Sequence, residues 1–367
     1  MLVFWESTRA CLLACKHCRA EAQAAPAPGE LTSTEGMHFI ESLTEFGRPY
    51  PVLILTGGDV LMRPDAFELV RRARELGIPV GLAPSVTQNL TSANIDQMVN
   101  LGVKMVSISL DGATAETHEG IRGIARHFSD TVRAIEQLVA AGLNVQINTV
   151  VMRRNVNELP AILQILKQTG ASVWEVFFLV KVGRGQTTEE LSARECEDVG
   201  HFLYDASRYD LIVRTVEGPF FRRIVKWRNT VDDIMTPPTV ADRFGLTPLY
   251  RQLAAETLHR LGDPVSQAKA QSTGTRDGKG IIFVGYDGTV SPAGFLPIPL
   301  GNVRHQDLAA IYRTHPLLKD IRASRFSGRC GECDYKDICG GSRARAYAST
   351  KDPLGEDPAC FYPGSPE

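Results

Sequence analysis

The sequence predicts an α/β protein: a partial (β/α)6 barrel of the TIM-like kind over residues 1–206, a connector over 207–280 and a small cysteine-rich domain over 281–367. Three observations predict it. Short apolar, β-rich runs alternate with longer segments of helical periodicity, the pattern of repeated βα units on a parallel sheet. Runs such as Val176 to Val180 are almost continuously apolar, as expected of strands buried on both faces. Seven of the eight cysteines fall into two groups that flank the alternating region.

Taken in order, the strand candidates are 2–5, 52–56, 79–83, 105–110, 144–151 and 173–180. Helical spacing predicts helices over 34–46, 65–76, 92–101, 129–141, 157–169 and 188–206; in 129–141 it puts Val132, Ile135, Leu138 and Val139 on one face. Gly77, Gly102, Gly142 and Gly170 follow four of these helices, as C-terminal caps do. Six units are about two short of a closed eightfold barrel, so chemistry is expected at the C-terminal ends of an open set of strands. Beyond 206 the alternation stops, with the polar stretch Gln267 to Lys279 expected as a mobile loop. Ile281 to Gly285 and Thr289 to Pro292, around Asp287-Gly288, predict a β-hairpin.

The 367 residues include 40 Lys+Arg and 42 Asp+Glu, a formal net charge of −2 with no long basic run, which excludes an electrostatic nucleic-acid binder. Apolar stretches such as 172–180 and 281–284 are far shorter than the ~20 residues of a membrane helix, and no secretory signal pattern opens the sequence. A cytoplasmic protein without membrane or nucleic-acid partners is expected, and there disulfides are disfavoured. Cys196 lies alone in a helical segment and is expected to be a small hydrophobe without a role.

The first cysteine group, Cys11-x3-Cys15-x2-Cys18, follows the first strand. Three thiolates on one loop can converge on one metal centre, and soft sulfur selects zinc, copper(I) or iron–sulfur clusters. Zinc needs a fourth ligand, for which His17 is available, although zinc spacings run two plus two. Three cysteines on a four-iron cubane leave one iron without a protein ligand.

These residues resemble the radical S-adenosylmethionine (SAM) enzymes, whose hallmark is CxxxCxxC after the first strand of a partial barrel. The resemblance implies a [4Fe–4S] cluster whose open iron chelates SAM and which, when reduced, cleaves it to a 5'-deoxyadenosyl radical that abstracts hydrogen from substrate. Thr56-Gly57-Gly58-Asp59 ends the second strand and resembles the family's GGE element, with Asp59 one methylene shorter than the commoner Glu. On the same resemblance Ser85 lies near SAM, Ser109 and Asp111 in the SLDG block near the ribose, and Arg122 in the HxxxRG block with His118 pairs the SAM carboxylate. Asn148 ends the fifth strand within reach of SAM, and Lys181 to Gly185 end the sixth, facing adenine or substrate.

The second group, Cys330-x2-Cys333-x5-Cys339 with Cys360, supplies four thiolates, a full cage for a zinc ribbon or an iron–sulfur cluster. It resembles the C-terminal domain of SPASM/twitch-type radical SAM enzymes, which often carry two auxiliary clusters. Here Cys339-Gly340-Gly341-Ser342 stands where relatives read CGGC, and Ser291 to Gly294 lacks cysteine, so one auxiliary [4Fe–4S] cluster is expected. The blocks around Cys11, Phe177 to Gly185 and Cys339 to Tyr347 look most like enzymes that modify tetrapyrrole side chains. Arg184, Arg222, Arg223 and Arg304 would suit a carboxylate-rich substrate. The alternatives are a maturase of a ribosomal peptide, disfavoured because strand one begins at residue 2, and, in another class, a non-enzymatic iron–sulfur or zinc protein for electron transfer or binding. An enzyme of this kind needs an electron donor such as flavodoxin or ferredoxin.

Overall fold

The six strands expected from the sequence all form, and four more join them in one sheet. The computed structural model describes residues 1–185, 189–230, 236–271 and 274–362. Its first part runs β1 (Leu2–Thr8), α1 (Ser33–Ser42), β2 (Val52–Gly57), α2 (Ala66–Glu75), β3 (Val80–Leu82), α3 (Ser92–Asn100) and β4 (Met105–Ser109). It continues α4 (Ala115–Arg122), α5 (His127–Ala140), β5 (Val145–Val151), α6 (Leu159–Thr169), β6 (Val173–Phe178), α7 (Ala193–Ala206) and β7 (Ile212–Val216). Then come α8 (Phe220–Arg228), α9 (Pro237–Phe244), α10 (Pro248–Leu261), β8 (Ile281–Val284), β9 (Thr289–Ser291) and β10 (Gly301–Asn302). Four short helices end it: α11 (Leu308–Thr314), α12 (Pro316–Arg322), α13 (Gly328–Glu332) and α14 (Arg343–Thr350).

The sheet order is β10-β9-β8-β1-β2-β3-β4-β5-β6-β7. β1 to β7 pair in parallel, with Leu53 beside Val80 and Val106 beside Val145, so each strand hands its C-terminal end to the same rim. β8 and β9 form the expected hairpin, but β8 also pairs in parallel with β1, Leu2 opposite Ile281. β7, with Arg214 in its middle, extends the other edge from within the region expected as connector. The core is apolar on both faces of the central strands; Trp5 and Trp174 have no exposure. Trp5 meets Phe39 of α1 edge to face, centroids 5.2 Å apart, worth about 0.5–1.5 kcal/mol beyond its buried area.

Local signals explain most helix limits. Thr32 and Glu35 form a capping box at α1, and Ser192 and Glu195 form one at α7. The latter starts α7 at Ala193; residue 188, where the sequence placed its start, lies outside the described residues. α4 was not expected, being a short helix between two glycines. Of the loop Gln267 to Lys279, residues 272 and 273 lie outside the described residues, whereas Arg276 is buried, donating to the carbonyls of Asp337 and Cys339. The C-terminal segment is thereby tied across the strand rim.

Candidate active site

The rim encloses a cavity of about 560 Å³, and Cys11, Cys15 and Cys18 lie in its wall on the loop after β1. That loop is held from three sides. Cys11 N–H donates to Gln23 O (2.7 Å), Lys16 N–H to Ile121 O (3.0 Å), and Arg184 Nε to Cys15 O (2.9 Å). Each sulfur also receives a donor: Leu13 N–H at Cys11 (3.4 Å), Arg122 Nη1 at Cys15 (3.6 Å) and Ala22 N–H at Cys18 (3.5 Å). Donors aimed at sulfur stabilise thiolates, the form that binds metal. Among the described residues no three Cys, His, Asp or Glu side chains converge tightly enough to hold a single metal ion. Three soft thiolates on one loop, each met by an N–H donor, fit an iron–sulfur cluster.

Gly57 and Gly58 line the cavity at the end of β2. Their lack of side chains has a packing cause: Gly57 has φ +137°, where a Cβ would lie 2.2 Å from Thr8 O, and a Cβ on Gly58 would lie 2.3 Å from Ala10 O. Only glycine lets β2 cross this close to the cysteine loop. Asp59 is absent from the lining and fully buried. Its carboxylate accepts from Thr87 Oγ1 (2.8 Å), Leu61 N–H (3.1 Å) and Ser85 N–H (3.3 Å), which fixes the β3 loop. Ser85 in turn donates to Gly58 O (3.0 Å) and lies 3.6 Å from Cys11 Sγ. Burial pushes Asp59 up, against these hydrogen bonds.

Asp111 likewise stands behind the wall, with no exposure. It meets Arg122 Nη2 at 2.6 Å and His17 Nε2 at 3.4 Å and accepts from Val150 N–H at 2.8 Å. Burial alone would raise its pKa, but Arg122 and then His17 bring it below the ordinary value. Arg122 thus reaches from Asp111 to Cys15, and it does line the cavity, as do Ser109 and Asn148. Asn148 accepts from Gln146 Nε2 (2.7 Å), which also donates to Glu175 (2.8 Å).

Behind Asp111 runs a chain with fixed proton positions. Asp111 N–H donates to His118 Nδ1 (3.2 Å), so His118 Nε2–H donates to His127 Nδ1 (2.8 Å) and His127 Nε2–H to Val86 O (3.0 Å). Both rings are neutral; burial, then Arg122, lowers His118 to about 3. A depressed histidine stabilises the fold above its unfolded pKa of about 6.5 and loses that contribution as pH falls toward the folded value. Between pH 7.5 and 5.5, His118 should account for a loss of about 1 kcal/mol. Urea unfolding at both pH values, for wild type and His118→Asn, measures it as a smaller fall in the variant; equal falls refute it.

The second cysteine group has the same kind of donors. Tyr335 N–H points at Cys333 Sγ (3.4 Å), Gly341 N–H at Cys339 Sγ (3.5 Å), and Asp357 N–H (3.5 Å) and Arg343 Nη2 (3.6 Å) at Cys330 Sγ. Cys360 is close enough for its charge to act on Cys339. The donor set again fits an iron–sulfur cluster. Cys196 stands apart, its thiol pushed up to about 12 by burial, which keeps it protonated.

Of the four arginines singled out for substrate, Arg184 and Arg222 line the cavity. Arg223 does not: it is buried against Glu197 (2.6 Å) and stacks on Trp227 (4.2 Å) and Tyr362 (5.1 Å), beside the second cysteine group. Arg304 is on the outside, bound to Glu35 (2.7 Å). The structure adds Arg214, Arg276 and Arg343, the acids Glu175, Glu217 and Asp277, and Phe177, Phe283 and Phe295. The β-branched residues around Arg214, Ile212-Val213 and Thr215-Val216, favour a strand but not its place at the sheet edge, and the other residues come together only through long-range folding. Among the described residues, Arg122 Nε, Arg184 Nη2 and Arg276 Nε are buried without a hydrogen-bond acceptor, and Arg214 Nε meets Glu175 at 3.7 Å.

Comparison with known proteins agrees with this geometry. The sequence profile of the radical SAM superfamily matches residues 5–166, and that of the SPASM iron–sulfur cluster-binding domain matches 276–334. An AdoMet-dependent heme synthase of Methanosarcina barkeri is 36% identical over 98% of this chain and 96% of its own. One of Oleidesulfovibrio alaskensis is 35% identical over 98% of this chain and 87% of its own. Streptococcus suis SuiB, crystallised with precursor peptide SuiA, superposes with a TM-score of 0.70 at 13% identity, over 98% of this chain and 75% of that one, a likeness of fold. With a three-thiolate loop at the mouth of a partial barrel and relatives this similar over most of their length, the chain belongs to the radical SAM superfamily, as an enzyme with a SPASM-type C-terminal iron–sulfur domain.

Proposed function

We propose that this enzyme cleaves SAM reductively and abstracts hydrogen from the side chain of a carboxylate-bearing tetrapyrrole of the haem series. The observation that carries the reading is the cavity wall: Arg184, Arg214, Arg222 and Arg276 set among Phe177, Phe283 and Phe295. Guanidinium groups and aromatic rings in one wall suit a flat aromatic ligand with several carboxylates. The heme synthase relatives support the same substrate class. The resemblance to a peptide-bound enzyme is one of fold and does not favour a peptide.

In this reading Cys11, Cys15 and Cys18 hold the SAM-binding cluster, and Cys330, Cys333, Cys339 and Cys360 hold one auxiliary cluster. When bound, the first supplies the electron that breaks a carbon–sulfur bond of SAM. Gly57, Gly58, Ser85, Ser109 and Asn148 face SAM, and Arg122 pairs the SAM carboxylate from the cavity wall. Asp59 and Asp111 act from behind, orienting Ser85 and Arg122. The barrel is 1–206 with the β7 edge added, 207–280 connects, and 281–367 caps it. A flavodoxin or ferredoxin delivers the electron. Among the described residues no helix is long and apolar enough to cross a membrane. Eight free cysteines suit a reducing cytoplasm.

The test is substrate-dependent release of 5'-deoxyadenosine from anaerobically prepared, reduced enzyme offered iron-coproporphyrin or a peptide. Arg214→Gln should weaken the apparent affinity for the porphyrin about tenfold or more, the loss of a hydrogen bond to a charged group. Turnover with peptides alone overturns the reading.

A further inference from the structure

Two acids meet in the cavity wall on the side of the C-terminal segment. Glu217, just after β7, is only 6% exposed, and Asp277 lies in the turn before β8; both line the cavity. Their carboxyl groups lie close enough to act on each other, and Glu217 Oε1 and Asp277 Oδ2 are buried without a donor. Two carboxylates have only acceptors to offer, so such a contact is attractive only with a proton between them.

The surroundings do not neutralise the pair. Ser342 Oγ donates to Glu217, and the Ala344 amide lies near Asp277. Arg345 and Asp357 face Glu217, while Arg343 and Arg222 face Asp277. These cations are engaged elsewhere: Arg345 by Asp357 and Glu217 O, Arg343 by the carbonyls of Gly341, Pro353 and Gly355, and Arg222 by those of Ile338 and Thr275. Burial raises both acids; the charge of Asp277 raises Glu217 further, and Asp277 is pushed up to about 6.

Resting on the tetrapyrrole reading, we propose that Glu217 and Asp277 share one proton and that this proton admits a substrate carboxylate to the C-terminal wall of the cavity. With it the pair carries one negative charge beside Arg222 and Arg343. Without it the pair carries two and repels the ligand. By linkage, a carboxylate that binds here raises the proton affinity of the pair, so binding above the pair's apparent pKa takes up a proton. Glu217 and Asp277 are positioning and specificity residues for the substrate.

The experiment uses the anaerobically prepared enzyme with its clusters and coproporphyrin III, whose own propionates stay ionised near and above neutral pH. Its affinity is read from tryptophan fluorescence quenching between about pH 6 and pH 9, and the infrared carbonyl stretch of a protonated carboxylic acid is followed without ligand. Wild type should show that stretch at neutral pH and lose affinity by up to about tenfold per pH unit once the pair titrates. Glu217→Gln and Asp277→Asn should each abolish the stretch and flatten the slope while still binding porphyrin. Absence of the stretch from wild type overturns the shared proton. Binding with no pH slope, or with an equal slope in both variants, overturns the gate and leaves the tetrapyrrole reading standing. No porphyrin binding by wild type at any pH overturns that reading and the gate with it, while the stretch still decides the shared proton.

Discussion

Asp111→Ala should destabilise the folded protein by about 3–5 kcal/mol, because it strips the counter-charge from a buried guanidinium. Asp111 has no exposure, and its carboxylate joins Arg122 at 2.6 Å, His17 at 3.4 Å and Val150 N–H at 2.8 Å. Without it Arg122 stays buried with only Cys15 Sγ as an acceptor, and its side chain is free to swing from the cysteine loop. Asp111→Asn keeps the shape and the bond to Val150 but drops the charge, so a smaller loss is expected. Urea unfolding at pH 7.5 separates the three proteins by midpoint at unchanged slope. A change below about 1 kcal/mol for Asp111→Ala would show that water reaches the ion pair.

Replacing Cys11, Cys15 and Cys18 together by Ala should abolish 5'-deoxyadenosine formation and leave on the order of four irons per chain, those of the second site. The two groups are held independently. The first takes its donors from Leu13, Arg122 and Ala22, the second from Tyr335, Gly341, Asp357 and Arg343. Iron analysis, together with chromatography of the reaction mixture after reduction with dithionite, checks both halves of the expectation. Persistent SAM cleavage in the triple variant would move the reaction away from this loop.

The chemistry-bearing positions were legible where they depend on neighbours in sequence. CxxxCxxC is a loop property, and Gly57, Ser85, Ser109 and Asp111 sit at or within three residues of strand ends, whereas Asn148, expected at the end of the fifth strand, lies in the middle of Val145–Val151 and Arg122 ends α4. Side-chain direction is a different matter. Asp59 follows Gly58 and Asp111 lies two residues after Ser109, both of which line the cavity, yet both acids turn inward, because a buried loop and a buried arginine each need a carboxylate partner. Arg223 and Arg304 carry the same charge as Arg184 and Arg222, but Glu197 and Glu35 hold them away from the cavity.

The sequence by itself determined the alternation that makes a parallel sheet, the rim where chemistry belongs, and seven cysteines in a set of three and a set of four. Each is local, carried by spacing along one strand, helix or loop. Tertiary structure alone decided that β8 closes on β1, that β7 adds Arg214 to the rim, and that the turn at Arg276 and Asp277 meets Glu217 and Ser342. These contacts join residues far apart in the chain, and no local pattern encodes them. They follow from strand edges that need hydrogen-bond partners and from charges that cannot stay buried alone.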